Sequence, residues 1–118
     1  MCGESDCREK VDRVERWPTV LVVHLKRWLV VSVVPFRRRK VNHRVGFETL
    51  LCVGASVPVY HLRGIVEHRG DAGAGHYVSV VRSPDNFWYL CDDECPPRRI
   101  LTSSVLQVQA MMLVYERF

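Results

Sequence analysis

The chain has 118 residues, of which 47% are hydrophobic and 25% charged, and a formal net charge of +4 at pH 7. This length fits one domain, and the composition is typical of a globular protein, which excludes wholesale disorder. The longest apolar stretch, residues 28–36, is much shorter than the ~20 residues that cross a bilayer. Residues 1–6 lack the basic and apolar regions of an export signal. We therefore expect an intracellular protein of the cytoplasm or nucleus, with no membrane partner.

The cysteine count and the net charge indicate the state of the thiols and the kind of partner to expect. The chain holds five cysteines, and an odd number without an export signal argues against a disulfide framework. Reduced thiols or a metal site fit better. The positive net charge mildly favours acidic partners without naming one.

The first predicted elements are strands, because valine occurs 21 times and β-branched residues favour sheet over helix. Residues 20–25 form a short apolar run that predicts a central strand buried on both faces. Residues 28–36 predict a second strand, and Val41 begins a third. The basic run Arg37–Lys40 between them is typical of a solvated hairpin tip.

The second half of the chain also favours β-structure. A glycine-rich loop at 69–75 follows a segment in which Tyr60 and Leu62 alternate with polar residues. Residues 102–104 predict the N-cap of one or two helical turns. The predicted strands of this half, in chain order, are 57–66, 77–81, 87–91 and 111–115.

The hairpin formed by the strands 77–81 and 87–91 predicts a contact between an imidazole and a carboxylate. Opposed residues of an antiparallel pair have a constant index sum, so a five-residue loop places His76 opposite Asp92, and a four-residue loop places Asp93 there. Opposed Cβ atoms lie ~4.5 to 5.5 Å apart, within hydrogen-bonding reach. A carboxylate on one ring nitrogen stabilises imidazolium and leaves the other nitrogen to move a proton. A surface histidine beside an acidic turn fits these residues equally well.

Five segments carry a family pattern in chain order: WPTVLVVHLKRW (17–28), KV followed by VGF (40–47), YHLRGIVEHRG followed by GHY (60–77), WYLCDD (88–93) and AMMLVYER (110–117). Together they resemble the ubiquitin-specific protease family, the papain-like deubiquitinases, over nearly the whole chain. Trp28 replaces the usual Phe of this pattern, and Glu48 stands where Pro is customary.

The resemblance implies an α+β, mostly β fold. The expected architecture is an antiparallel sheet like the palm, and part of the fingers, of a papain-like deubiquitinase, with one short helix near the C-terminus. Residues 1–118 would form a single partial domain, the C-terminal half of the catalytic domain. Residues 1–16 would be a remnant of the finger region, and residues 17–118 the sheet lobe.

The resemblance also implies roles for individual residues. His76 corresponds to the general base that activates a cysteine thiol, Asp92 to the third triad residue, and Asp93 to an assisting neighbour. His68 matches a recurrent non-catalytic position, for which we expect a structural role. The glycine-rich loop resembles the loop that closes over the C-terminal tail of ubiquitin, and the implied substrate-binding residues are Asp71, Ala72, Gly73, Ala74, Gly75 and Tyr77.

The nucleophile of this chemistry is missing from the pattern. The family supplies a thiolate from a Cys box at the start of a helix in a separate lobe, and no segment of these 118 residues resembles that box. Cys52 lies in an apolar run that we expect to be core. Neither Cys91 nor Cys95 has an activating cation beside it in the sequence. We expect none of the three to act as the nucleophile.

Cys2 and Cys7 precede the first strand where many family members carry the second Cys pair of a zinc ribbon. A structural zinc needs four ligands, so this pair offers half a site. We therefore expect no cofactor and no metal.

The leading hypothesis is the C-terminal part of a cysteine-type deubiquitinase, which hydrolyses amide or isopeptide bonds at the C-terminus of ubiquitin. This part supplies the base and its orienter without the nucleophile, so we expect the chain alone to be inactive. The expected partners are ubiquitin or its conjugates and a missing N-terminal lobe. Without that lobe, apolar surface around Trp17 and the outer face of strand 20–25 should be exposed, with poor solubility as the result.

Two other classes compete with this hypothesis. The alternative is a non-catalytic ubiquitin-binding pseudoenzyme or regulatory module. Nucleic-acid binding through Arg37–Lys40 is a weaker third, since a solvated hairpin tip explains these residues better. We do not expect nucleic acid to be a partner.

Overall fold

The computed structural model describes residues 9–55 and 58–117. These residues form mostly antiparallel strands and one short helix, α1 (Thr102–Val105). No helix among them is long and apolar enough to cross a membrane. The predicted fold class is confirmed. The strands in chain order are β1 (Val20–His24), β2 (Trp28–Val33), β3 (Phe36–Lys40), β4 (Leu50–Cys52), β5 (Val59–Gly70), β6 (Gly75–Arg82), β7 (Trp88–Cys91), β8 (Arg98–Ile100) and β9 (Ala110–Arg117).

The main sheet is built around β5, which is 12 residues long. The strand order is β1-β9-β5-β6-β7-β8, and β4 pairs with the start of β5. Along one edge β5 pairs with β9, and along the other it pairs first with β4 and then with β6. Because β5 has partners on both edges, its alternating apolar residues form the centre of the core.

The core lies on the face of β5 that Tyr60 and Leu62 share, as the sequence predicts. Both side chains are fully buried, and the Tyr60 hydroxyl donates a hydrogen bond to the carbonyl oxygen of Pro18. Helix α1 closes one end of the core with Val105. The buried members of the core are Tyr60, Leu62, Ile65, Val80, Trp88, Val105, Ala110, Leu113 and Tyr115.

Strand β1 corrects one prediction. It pairs only with β9 among the described strands, so it is an edge strand and not a central one. Leu21 and Val23 pack against the core, whereas Val20 and Val22 on the other face are about half exposed. A short apolar run does not distinguish a strand covered on both faces from an edge strand with one apolar face left open.

Strands β2 and β3 form a separate two-stranded ribbon. The sequence wrongly predicts the hairpin tip at Arg37–Lys40, because the turn lies earlier, at Val34-Pro35, and the basic run is strand β3. Proline has a fixed φ and no N–H, so it fits a turn better than a ladder position. The first three basic residues, Arg37–Arg39, are exposed to solvent on the ribbon. Because their charges stay hydrated, these residues can form a strand.

The base of the ribbon is joined to the main sheet by Arg27. This side chain is buried, its Nε donates to the carbonyl oxygen of Ala110 at 2.7 Å, and its Nη1 donates to the carbonyls of Val41 and His43 at 3.0 and 2.6 Å. Residues 41–48 follow this anchor without regular structure, so the strand predicted to start at Val41 is wrong. Side-chain hydrogen bonds satisfy part of this backbone instead of a ladder.

Three smaller predictions also change. Cys52, expected in the core, is exposed because it ends the three-residue strand β4. The residue that caps α1 is Leu101, without a side-chain hydrogen bond, and the predicted capping residues 102–104 lie inside the helix. Strand β8, which directly follows Pro96-Pro97, was not predicted.

The predicted division of the chain into a finger remnant, residues 1–16, and a sheet lobe, residues 17–118, remains a prediction.

Candidate active site

The β6–β7 hairpin brings the predicted residues together in a register that differs from both predictions. Arg82 pairs with Trp88, and the ladder runs to Ser79 opposite Cys91. The index sum is therefore 170 (82 + 88), whereas the two predicted alternatives were 168 and 169. The loop starts one residue later than predicted because of its turn chemistry. The Asp85 carboxylate accepts the Phe87 N–H at 2.8 Å, and the residue between them has a positive φ of 69°.

His76 and Asp92 lie beyond the last rung of this ladder, where β6 and β7 are no longer paired. A turn brings the acidic residues back to the imidazole. The Cys95 N–H donates to the Asp92 carbonyl oxygen at 2.8 Å, and Asp93 has a left-handed φ of 38°. Aspartate tolerates this conformation better than most residues.

Each nitrogen of the His76 ring contacts one carboxylate. Nε2 forms a hydrogen bond with Oδ1 of Asp92, and Nδ1 lies 3.3 Å from Oδ2 of Asp93. The predicted contact between His76 and Asp92 is therefore present. The side chains of His76 and Asp92 are 44% and 36% exposed, while that of Asp93 is 69% exposed.

The electrostatics of the site favour imidazolium. The pKa of His76 is raised, first by the hydrogen bond to Asp92 and then by the charges of Asp92 and Asp93; partial desolvation and the charge of Arg69 oppose the shift. A histidine that favours its protonated form can stabilise a neighbouring thiolate as an ion pair. Nδ1 is the nitrogen that such a partner can reach, because its contact with the exposed Asp93 side chain is longer than the hydrogen bond between Nε2 and Asp92.

The predicted substrate-binding loop is the turn between β5 and β6, and its last residue, Gly75, directly precedes His76. Gly70 and Gly75 are paired across the base of this turn, where the Asp71 N–H donates to the Ala74 carbonyl oxygen at 3.3 Å. The φ of Gly70 is 97°, a conformation that favours glycine. Of the six residues predicted for the substrate, Ala72 is half-buried and Asp71, Gly73, Ala74, Gly75 and Tyr77 are exposed.

His68 does not join the cluster of His76, Asp92 and Asp93. Its ring is buried between Trp28 and Tyr77, with centroid distances of 5.2 and 4.8 Å. Its Nδ1 has no hydrogen-bond partner among the described residues. Burial lowers the pKa of His68, and the positive charges of Lys40 and Arg38 lower it further. This packing is what a structural role requires.

The lowered pKa of His68 gives an expected pH dependence of stability. Its neutral form is favoured in the fold, so the stabilising contribution is present above the ordinary value of 6.5 and is lost as pH falls through the lower folded pKa. We expect His68→Leu to reduce the fall in the free energy of unfolding between pH 7 and pH 5, as measured by urea denaturation at several pH values. An unchanged pH slope in this variant would contradict the assignment.

The cysteines within the described residues stay outside the cluster. Cys52, Cys91 and Cys95 are free thiols. The ligand atoms of His76, Asp92 and Asp93 lie within 4.8 Å of one another, and no described cysteine belongs to this group. Cys95 lines a small neighbouring cleft of about 240 Å³ together with Asp92 and Arg98. Cys2 and Cys7, and with them the predicted half zinc site, lie outside the described residues.

The three-residue cluster contains one imidazole and two carboxylates, which are also donor types for metal ions. Imidazole must be neutral to bind a metal ion, whereas the two carboxylates raise the pKa of His76 and favour its protonated form.

Comparison with known proteins finds one family. The sequence profile of a family described as ubiquitin carboxyl-terminal hydrolase matches residues 2–115. Ubiquitin carboxyl-terminal hydrolase 1 of Arabidopsis thaliana is 31% identical over 136 residues, which cover 97% of this chain and 12% of that protein. Ubiquitin carboxyl-terminal hydrolase creB of Emericella nidulans is 35% identical over 101 residues, which cover 79% of this chain and 13% of that protein.

Solved structures show the same fold. A chain of the yeast SAGA DUB module matches with a TM-score of 0.74 and 31% identity, over 86% of this chain and 25% of that chain. The Ubp8/Sgf11/Sus1/Sgf73 DUB module bound to ubiquitin aldehyde matches with a TM-score of 0.74 and 29% identity, again over 86% of this chain and 25% of that chain. The present chain thus spans a quarter or less of the relatives that it matches.

Proposed function

Because this chain belongs to the ubiquitin carboxyl-terminal hydrolase family, we propose that it supplies the general base and the orienting carboxylate of a cysteine deubiquitinase. His76 is the base and Asp92 is the orienter. The nucleophilic thiol comes from a segment other than these 118 residues. The observation that supports this most directly is the hydrogen bond between His76 Nε2 and Asp92 Oδ1.

The proposed chemistry uses the two ring nitrogens differently. Asp92 holds Nε2, so the incoming thiol approaches Nδ1 and gives up its proton there. The thiolate attacks the carbonyl carbon at the C-terminus of ubiquitin, and the imidazolium returns the proton to the leaving amine. Water, deprotonated by the same ring, then hydrolyses the thioester and releases ubiquitin.

Asp93 is proposed to assist this chemistry from the Nδ1 side. Its carboxylate lies 3.3 Å from Nδ1, where the thiol must arrive. Because this side chain is largely exposed, it can turn away as the thiol approaches while its charge still favours the imidazolium. We therefore assign it a smaller contribution than Asp92.

The proposed substrate is ubiquitin or a ubiquitin conjugate, bound at the turn Asp71–Gly75 and Tyr77. Small side chains at this turn leave its backbone open to a second extended backbone. The turn starts β6, whose second residue is His76, so a tail lying along it would place its last carbonyl near the imidazole.

A chimera tests the proposal. The segment of the Arabidopsis thaliana relative that aligns with this chain would be replaced by these 118 residues, and hydrolysis of a ubiquitin C-terminal fluorophore would be measured. We expect hydrolysis by the chimera and none by the 118-residue chain alone. His43→Ala in the chimera is the matched control, since the Arg27 contact of this exposed residue uses its backbone carbonyl oxygen.

The same experiment separates the second candidate, a ubiquitin-binding module without catalysis. That reading is favoured by the absence of any cysteine from the His76 cluster within the described residues. A chimera that folds and binds ubiquitin but releases no fluorophore would support the binding module and contradict the catalytic proposal.

A further inference from the structure

Lys40 has an environment that its sequence position does not explain. It is the last residue of the exposed basic run on β3, yet only 8% of it is exposed. Its Nζ donates to the carbonyl oxygens of His68 at 2.5 Å and of Gly70 at 3.1 Å. Burial removes most of the water that would solvate an ammonium group, and a methionine of similar length would fill this space without that penalty.

The two carbonyl groups belong to the part of β5 that lies directly across from the catalytic imidazole. His68 pairs with Tyr77, Arg69 with His76, and Gly70 with Gly75. The pairing of β5 with β9 ends at Glu67, so beyond this residue β5 has no strand partner along that edge within residues 9–55 and 58–117. The Lys40 ammonium occupies the position of a partner strand and satisfies two carbonyl groups there.

The ribbon also contacts the end of β5 through the ring of Trp28. Trp28 pairs with Lys40 across the ribbon, and its ring packs edge-on against the ring of His68. The His68 ring in turn lies so close to Gly75 that a Cβ at this position would be 1.8 Å from Nε2. The ribbon therefore contacts β5 directly and is linked to β6 through the His68 ring.

We propose that Lys40 is a positioning residue for His76: its ammonium holds the end of β5 in place, and β5 in turn holds β6 so that the imidazole stays on Asp92. This inference deepens the proposed function, because it names a residue outside the triad on which the geometry of the base depends. Lys40 itself makes no contact with the reacting atoms.

The test uses the 118-residue chain and the imidazole pKa of His76 by NMR. In Lys40→Met we expect this pKa to fall toward its ordinary value of 6.5, because the bond to Asp92 loosens. Loss of a positive charge alone would raise the pKa, so the sign separates positioning from electrostatics. Backbone amide exchange at Gly75 and His76 should rise about 10-fold, while exchange at Leu113 in β9 stays unchanged.

Three further variants control the experiment. Arg39→Met removes the same charge one residue earlier from an exposed side chain, and we expect no fall in the His76 pKa. Lys40→Arg keeps a donor for the two carbonyls and should restore most of the wild-type pKa. Lys40→Gln removes the charge but keeps a hydrogen-bond donor, so we expect a His76 pKa between those of the wild type and Lys40→Met.

Some outcomes would overturn the proposal. If the pKa of His76 is unchanged or raised in Lys40→Met, Lys40 does not position the imidazole. If both Lys40→Met and Lys40→Gln unfold, Lys40 contributes to stability alone, which also contradicts the proposal. The pKa of His68, which the charge of Lys40 lowers, should rise in either folded variant and so reports that the charge is gone. None of these readouts requires hydrolysis, so a failure of the proposed function stays distinguishable from a failure of this inference.

Discussion

Asp92→Ala in the chimera is expected to lower kcat/KM by about 100-fold or more, because the imidazole loses both its orientation and the bond that favours imidazolium. Asp92→Asn should cost less, about 10-fold or under, since the amide oxygen can still accept a hydrogen bond from the Nε2 N–H; an asparagine occupies this position in papain-like proteases. Steady-state hydrolysis of the ubiquitin fluorophore measures both.

Asp93→Asn and Glu94→Gln are the matched controls for Asp92. Asp93 contributes to the His76 pKa only through its charge, so we expect a small fall in that pKa and a loss of activity smaller than in Asp92→Ala. Glu94 is exposed and is absent from the interactions that shift His76, so Glu94→Gln should behave as wild type. A larger loss in Asp93→Asn than in Asp92→Ala would exchange the two assigned roles.

The raised pKa of His76 also links this pair to stability. A group whose folded pKa lies above its unfolded value of 6.5 contributes stability that is fully present below that value and is lost as pH rises through the folded pKa. The pH dependence of this stability contribution is opposite in sign to that of His68, whose contribution is lost as pH falls. Both Asp92 variants should weaken this contribution, which the pH dependence of urea denaturation would reveal.

Gly75→Ala is expected to be the most destabilising of the conservative changes, at about 3 kcal/mol. The new Cβ would stand 1.8 Å from Nε2 and 2.3 Å from Cε1 of the His68 ring. That ring cannot retreat easily, because Trp28 and Tyr77 pack against it. The free energy of unfolding from urea denaturation gives the size of the effect.

Gly73→Ala is the matched control two residues away in the same turn. A Cβ there would meet nothing within 4 Å, so we expect a change within about 0.5 kcal/mol. Removing the His68 ring should relieve the clash, so Gly75→Ala with His68→Ala should cost less than the sum of the two single changes. Additive costs would show that the close approach of the ring to Gly75 is not the cause.

Much of the candidate site could be predicted from sequence because its signals are local. The segment Gly75-His76-Tyr77, the turn residues 82–86 and the acidic pair Asp92-Asp93 are close together in the chain. Any short hairpin between them brings an imidazole near a carboxylate, which is why the contact is present although both predicted registers are wrong. The register itself depended on one residue in the turn and one side-chain hydrogen bond.

The contacts that surround the site could not be predicted from such local signals. Lys40 has the sequence environment of a solvated charge, and only the position of the ribbon against the end of β5 buries it. The close contact of His68 with Gly75 likewise joins residues whose types alone suggest no contact. The strand pattern of residues 20–25 fits a central or an edge strand equally, and the choice depended on which strands lie beside it.

Strand periodicity and short motifs act over a few neighbouring positions, so the family, the mostly β fold and the residues that offer a base and a carboxylate could all be predicted from the sequence. The three-dimensional fold sets which nitrogen each carboxylate contacts, which strands lie at the edge, and how the buried Lys40 ammonium reaches the carbonyl groups of β5. These contacts join residues from β3, β5, β6 and the turn after β7. Their geometry is set by packing and by the need to satisfy backbone groups in three dimensions, for which a linear pattern carries no signal.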